Sequence, residues 1–155
     1  MSLANDIFGA LPVSGIPSEH VDLTQAKILV VDDSPLIREL IGACLATDDY
    51  QNISYAGDGL DALEQIDKEM PDLIILDLEM PRMDGFEVCK RLRDNPKTAN
   101  IPILIQSGRD TAADITRAFD YGASDMVVKP VKKFEILART KVHLQKRMLL
   151  QKLIA

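Results

Sequence analysis

Four short apolar runs, each closing on a polar or charged residue, constrain this chain more than any other feature. Leu73-Ile74-Ile75-Leu76 closes on Asp77, and Ile28-Leu29-Val30-Val31 gives onto Asp32-Asp33. Ile103-Leu104-Ile105 gives onto Gln106-Ser107, and Met126-Val127-Val128 onto Lys129-Pro130. Runs this short, with no polar alternation, read as strands buried on both faces, the setting of a parallel sheet. In an open parallel sheet the carboxyl ends of the strands share one edge, and ligands bind in the crevice there. Three carboxylates, a hydroxyl and an ammonium therefore gather at one spot, a set that suits a divalent cation and a phosphoryl group.

Between the runs the chain reads as helix. Ser34 is placed as an N-cap and Pro35 at the first helical position, a strong start signal, and Leu36, Ile37, Leu40, Ile41 and Leu45 follow at helical spacing. A short second strand is expected near Ile53–Tyr55. Gly57-Asp58-Gly59 then turns into a helix through Leu60, Leu63 and Ile66. Pro71 opens the third strand, and Pro81 and Gly85 punctuate a loop over Glu79–Gly85. Further elements are a helix over Phe86–Arg93, a strand over Ile101–Gln106, a helix over Thr111–Tyr121 and a strand over Asp125–Val128. Five strands alternating with helices make an α/β sheet covered on both faces, with right-handed connections.

Three segments are expected. Residues 1–25, rich in Gly, Pro and Ser, read as a flexible leader in which Ile7, Phe8, Leu11 and Val13 are scattered. Residues 26–145 form the α/β domain. Residues 134–155 form one long helix, more than a five-stranded sheet needs for cover, with Val142, Leu149 and Leu153 continuing an apolar stripe. Gln145, Lys146 and Lys152 interrupt a heptad, so this is a candidate signalling or dimer stem with an imperfect seam.

At 155 residues the chain suits one domain with a substantial core. A net charge of −6 argues against a broad nucleic-acid-binding face. Cys44 and Cys89 have no metal-type spacing and read as free thiols in a reducing compartment. No apolar stretch approaches the ~20 residues of a membrane span, and the first basic residue is Lys27. A cytoplasmic location, with no membrane partner, is the expectation.

Asp77 is the candidate nucleophile, since a carboxylate accepts a phosphoryl group as an acyl phosphate when positioned and neutralised. Asp32 and Asp33 supply oxygen ligands for a hard cation such as Mg2+. Without a cation, three packed carboxylates raise one another's proton affinity. Ser107 and Lys129 offer a hydroxyl and an ammonium to phosphoryl oxygens, and Pro130 marks a tight turn, cis or trans.

These residues resemble the receiver domain of the two-component response regulators, chemotaxis-type members included. The matching text is Ile28 to Ser34, Leu76-Asp77-Leu78-Glu79-Met80-Pro81-Arg82-Met83-Asp84-Gly85, Ile101-Pro102-Ile103 through Ser107, and Gly122-Ala123-Ser124-Asp125 through Lys129-Pro130. The likeness covers roughly Lys27 to Gln145. It implies a flavodoxin-like sheet of strand order 2-1-3-4-5 and Asp77 as phosphoacceptor. It implies Mg2+ on Asp32, Asp33, Asp77 and the Glu79 backbone carbonyl, with Ser107 as switch hydroxyl and Lys129 as phosphoryl-binding cation. The phosphodonor would be a histidine kinase or phosphotransfer protein, and the chain would catalyse only its own phosphoryl transfer and dephosphorylation. An output domain would follow the long helix. Homodimers would form through the face of helix four and strand five, or through the C-terminal helix.

Two positions modulate that expectation. Met126 stands where receivers usually carry Tyr or Phe, which puts the usual coupling of hydroxyl capture to an aromatic ring in question. Glu79 and Arg109 lie two residues beyond Asp77 and Ser107, where an ion pair between them would hinder hydrolysis. Gly108 keeps the mouth open to a phosphodonor. A haloacid-dehalogenase-type phosphatase carries its nucleophile on the first strand, which this order reverses. A flavodoxin needs a phosphate-cradling loop after strand one, where Asp32-Asp33 would repel phosphate. The remaining alternative is a phosphorylation-independent interaction module on the same fold.

Overall fold

A computed structural model describes residues 22–154. The stretch holding Ile7, Phe8, Leu11 and Val13, most of the expected leader, lies outside the described residues, as does Ala155. The elements are β1 (Lys27–Val31), α1 (Pro35–Ala46), β2 (Asn52–Ala56), α2 (Gly59–Lys68), β3 (Leu73–Asp77), α3 (Gly85–Asp94), β4 (Ile103–Ser107), α4 (Ala112–Asp120), β5 (Asp125–Val128) and α5 (Lys133–Ile154). All ladders are parallel and the strand order is β2-β1-β3-β4-β5, as the resemblance implies.

Side chains alternate across the sheet and split the core in two. Leu29, Val31, Ile74, Leu76, Ile103, Ile105 and Met126 pack with Ala62 and Ile66 of α2, Phe86, Val88, Cys89 and Leu92 of α3, and Ala118 of α4. Ile28, Val30, Leu73, Ile75, Leu104 and Val127 pack against Ile41 and Leu45 of α1 and Ile136, Leu137 and Leu144 of α5. Every side chain of β3 is buried, and burial of each large aliphatic side chain stabilises by roughly 1.5–3 kcal/mol.

Side chains cap the first four helices. Ser34 accepts from the Ile37 amide at 3.3 Å, Asp58 from Asp61 at 2.8 Å, Asp84 from Glu87 at 3.0 Å and Thr111 from Asp114 at 3.2 Å. Each cap contributes about 1 kcal/mol by satisfying an amide with no partner inside the helix.

Several expectations need correction. Leu36 and Leu40 do not face the core; they are 64% and 53% exposed. The stripe of α1 against the core is the narrower Ile37-Ile41-Leu45 row at i, i+4 spacing, with Ile41 and Leu45 buried and Ile37 partly so. Leu60 is also largely outside. β4 starts at Ile103 rather than Ile101, because Pro102 has no N–H for the ladder and the Ile101 amide turns back to Thr98 O at 3.1 Å. It ends on Ser107, one residue later than expected. Gly85 opens α3 rather than ending the loop.

α5 has two faces. Ile136, Leu137, Thr140 and Leu144 are buried against the sheet. Val142, Leu149 and Leu153 lie on the opposite face and are exposed. At its root, Asp125 of β5 accepts from Arg139 Nη1 with both oxygens, at 2.8 and 2.9 Å, and pairs with His143 Nε2 at 2.9 Å. Arg147 reaches Asp72 Oδ1 at 3.3 Å. Arg93 of α3 similarly bolts the loops before β4 and β5, donating to Gly122 O, Ala99 O and Ile101 O at 2.9, 3.0 and 2.6 Å. No described helix is long and apolar enough to cross a membrane.

Candidate functional site

Strand alternation itself builds the site. Ile28 and Val30, Leu73 and Ile75, Leu104, and Val127 face α1 and α5. Two residues beyond the last of each row come Asp32, Asp77, Gln106 and Lys129, so these four continue onto the same face at the carboxyl end of the sheet.

Asp32, Asp33 and Asp77 each offer a carboxylate oxygen within 4.8 Å of the others. Asp32 and Asp77 are both 1% exposed, whereas Asp33 is exposed. Asp32 Oδ1 accepts from the Ser34 amide at 2.8 Å, and its Oδ2 from Gln106 Nε2 at 3.0 Å. Asp77 Oδ1 accepts from the Glu79 amide at 3.1 Å and from Lys129 Nζ at 3.0 Å. Lys129 Nζ also stands 3.9 Å from Asp32 Oδ2. Burial pushes the Asp32 carboxyl above its ordinary value, against the lowering pull of the Ser34 amide; Asp77 raises it further, Lys129 lowers it and Asp33 raises it. Three carboxylates share one ammonium. An all-oxygen, anionic donor set of this kind fits a hard divalent cation that neutralises the surplus.

Ser107 is fully buried at the end of β4. Its Oγ accepts from the Arg109 amide at 3.0 Å, and its carbonyl accepts from the Lys129 amide at 2.8 Å. Among the described residues no hydrogen bond joins the Ser107 hydroxyl to the carboxylates. The peptide between Lys129 and Pro130 is cis.

Asp33, Leu78, Glu79, Met80, Phe86, Arg109 and Arg117 surround the mouth. Arg109 Nε donates to Glu79 Oε1 at 3.1 Å, with both side chains about half exposed. A Cβ built on Gly108 would meet nothing within 4 Å. Met126 is buried in the core on the α2–α4 side. Arg117 stacks 4.0 Å above the Phe86 ring, joining α4 to α3 beside the mouth.

Two residues of this neighbourhood escape a motif reading. Gly85 packs so tightly that a Cβ would lie 2.6 Å from Asp77 O and 2.8 Å from Leu78 Cα, so α3 can start only with glycine there. Gln106 is fully buried and bonded to Asp32, and the period-two pattern of β4 was the available signal, since a polar residue there shares a face with Asp77.

A doubly wound sheet of this order, with an acidic trio at one strand-end edge and a lysine beside it, defines a class of signalling domain. Residues 28–141 match the family model of the response regulator receiver domain, and the chain belongs to that family. It is 40% identical over 116 residues to the response regulator PleD of Caulobacter vibrioides, which spans 75% of this chain and 25% of PleD. It is 39% identical over 120 residues to the response regulator MprA of Mycobacterium ulcerans, or 77% of this chain and 50% of MprA. The chain thus spans a quarter to a half of these relatives. Among solved structures, the chemotaxis response regulator CheY4 of Vibrio cholerae superposes with a TM-score of 0.72 at 32% identity, over 77% of this chain and 99% of that one. A putative response regulator from Chloroflexus aurantiacus gives 0.74 at 33% identity, over 78% of this chain and 98% of that one.

Proposed function

We propose that this chain accepts a phosphoryl group on Asp77 and passes the resulting change in charge to a partner or an attached output domain, in the cytoplasm. The observation that carries this reading is the convergence of three carboxylates within 4.8 Å, with Lys129 3.0 Å from the central one. Mg2+, held by Asp32, Asp33, Asp77 and the Glu79 carbonyl, would supply neutralisation of charge on the transferring group.

An Asp77 carboxylate oxygen forms the new O–P bond in line with the donor. The bond from phosphorus to the donor nitrogen or oxygen breaks, and its electron pair leaves with the donor. Lys129 exchanges part of its contact with Asp77 for a phosphoryl oxygen. Ser107 accepts a hydrogen bond from the Arg109 amide, which leaves its own proton to donate to a second phosphoryl oxygen. Movement of Ser107 toward that oxygen draws on the start of the α4 loop. Met126, flexible where a ring would be rigid, repacks beneath it.

The donor is a histidine kinase or phosphotransfer protein. The exposed pair Leu36 and Leu40 on α1, following Asp33 in sequence, supplies an apolar docking surface for it. The solvent-facing row Val142, Leu149 and Leu153 of α5, or the α4–β5 face, is the surface for a second copy or an output module.

Intact mass after incubation with Mg2+ and acetyl phosphate tests the central claim. One Mg2+-dependent phosphoryl adduct is expected in the wild type and none in Asp77→Asn or with EDTA. An adduct that persists in Asp77→Asn moves the phosphoryl group to another residue and overturns the role of Asp77, whereas no adduct in the wild type overturns the reading and leaves a constitutive docking module.

A further inference from the structure

We propose that Gln106 is a positioning residue of the cation site, holding Asp32 as a ligand at the cost of leaving half of its own amide idle. The inference rests on the proposed Mg2+ reading and goes beyond it. Gln106 is 0% exposed. Its Nε2 donates to Asp32 Oδ2 at 3.0 Å across a sequence separation of 74, while its Oε1 is buried with no hydrogen-bond partner among the described residues.

The orientation follows from charge. With the oxygen turned toward Asp32, two acceptors would oppose each other. The nitrogen therefore faces the carboxylate, and the oxygen is left in a region with no donor. A buried acceptor without a donor opposes folding, and an apolar side chain of similar size would avoid that penalty in a strand otherwise walled by Ile103, Leu104 and Ile105. The amide is thus poorly suited to the core and well suited to the carboxylate.

What it does there is geometric. Asp32 is held from two directions, by the Ser34 amide on Oδ1 at 2.8 Å and by Gln106 on Oδ2 at 3.0 Å. Those two bonds fix the plane of the carboxylate beside Asp77. Lys129 stands farther off at 3.9 Å and is required elsewhere once a phosphoryl group arrives. Gln106 is neutral, so it orients Asp32 without consuming the negative charge that draws the cation. Hydrogen bonds to a ligating group from behind commonly govern metal affinity by 10–100-fold.

The test uses Gln106→Leu and, to guard against a packing fault, Gln106→Met. Two quantities are measured on each full chain: Mg2+ affinity by titration calorimetry, and the urea midpoint in EDTA. The expected result is a roughly tenfold loss of Mg2+ affinity with a metal-free midpoint close to that of the wild type, since losing the donor to Asp32 Oδ2 and relieving the orphaned Oε1 oppose each other. A loss of affinity without a matching loss of stability is what a structural role cannot produce. Weaker binding accompanied by an equally large loss of metal-free stability in both variants would make Gln106 a structural residue and overturn the proposal. Wild-type affinity in both variants would also overturn it, while leaving the cation site standing. Failure of the wild type itself to bind Mg2+ would instead remove the reading on which the proposal rests.

Discussion

At the amino-terminal end of the sheet, Asp125 meets Arg139 through both oxygens and His143 besides, and Asp72 meets Arg147. At the carboxyl-terminal end, Asp32, Asp33 and Asp77 cluster, and among the described residues Lys129 is the one side-chain cation paired with them, at Asp32 and Asp77. The same residue type thus serves two purposes on one sheet. Below, each acid is matched by a guanidinium and ties α5 down. Above, negative charge is left in surplus, buried at Asp32 and Asp77 and exposed at Asp33, which favours a cation. Asp32 and Asp125 accordingly shift in opposite directions. Burial raises the Asp32 carboxyl. Burial alone would raise Asp125 too, yet His143, Arg139 and the Met126 amide together hold it below the ordinary value.

Breaking the lower end should have the larger effect on stability. Asp125→Ala strips Arg139 and His143 of their shared acceptor at the root of α5, and a loss of about 2–3 kcal/mol is expected in urea unfolding. Loss below about 0.5 kcal/mol would place the latch among surface ion pairs.

Acid sharpens the same contrast. A carboxyl whose folded pKa lies below its unfolded value of about 4 contributes stability that is present above pH ~4 and lost as pH falls through the folded pKa. The stability gap between wild type and Asp125→Asn should therefore narrow as the buffer is taken from pH 6 to pH 3. A gap that stays constant over that range would show that the latch acts by packing rather than charge.

The upper end should respond with the opposite sign. Asp32→Asn removes one charge from a repelling, buried set, so the metal-free protein is expected to gain about 1 kcal/mol while losing the Mg2+-induced rise in melting temperature. A destabilised Asp32→Asn would mean that the Ser34 and Gln106 contacts outweigh the repulsion.

The smallest effect belongs to the rim. Glu79→Gln breaks an exposed ion pair and should change stability by no more than about 0.5 kcal/mol. Its readout is the lifetime of the phosphorylated form, expected to shorten as the screen over the mouth is lost. An unchanged lifetime would leave the Glu79–Arg109 contact without a role in hydrolysis.

Sequence periodicity reveals the upper end far better than the lower. Asp32, Asp77, Ser107 and Lys129 each end an apolar run, so strand topology alone collects them. Ser34 and Pro35 announce α1 by local chemistry. The latch is built differently: Asp125 finds Arg139 and His143 across 14 and 18 residues, through a docking angle of α5 that no local pattern encodes. Arg93 reads as an ordinary basic residue at a helix end, yet it serves three carbonyls. Leu36 and Leu40 satisfy helical spacing as well as Ile37 and Ile41 do, and only the tertiary docking of α1 turns the latter pair toward the core. Gln106 follows an apolar run, and carrying the alternation of β4 one step further sets it on the face of Asp32 and Asp77.

In the order β2-β1-β3-β4-β5, the first three strands in space come from one unbroken stretch, residues 27–77, and the last two join along the β3–β4 ladder. That seam divides the site, with Asp32, Asp33 and Asp77 on one side and Gln106, Ser107 and Lys129 on the other. A partial opening along it parts Asp32 from Gln106 and Asp77 from Lys129, whereas a phosphoryl group on Asp77 held by Ser107 and Lys129 would sew the two halves together. Amide hydrogen exchange in β4 and β5 would then slow on phosphorylation more than exchange in β1 and β2, so the modification would be written in the breathing of the sheet as well as on its surface.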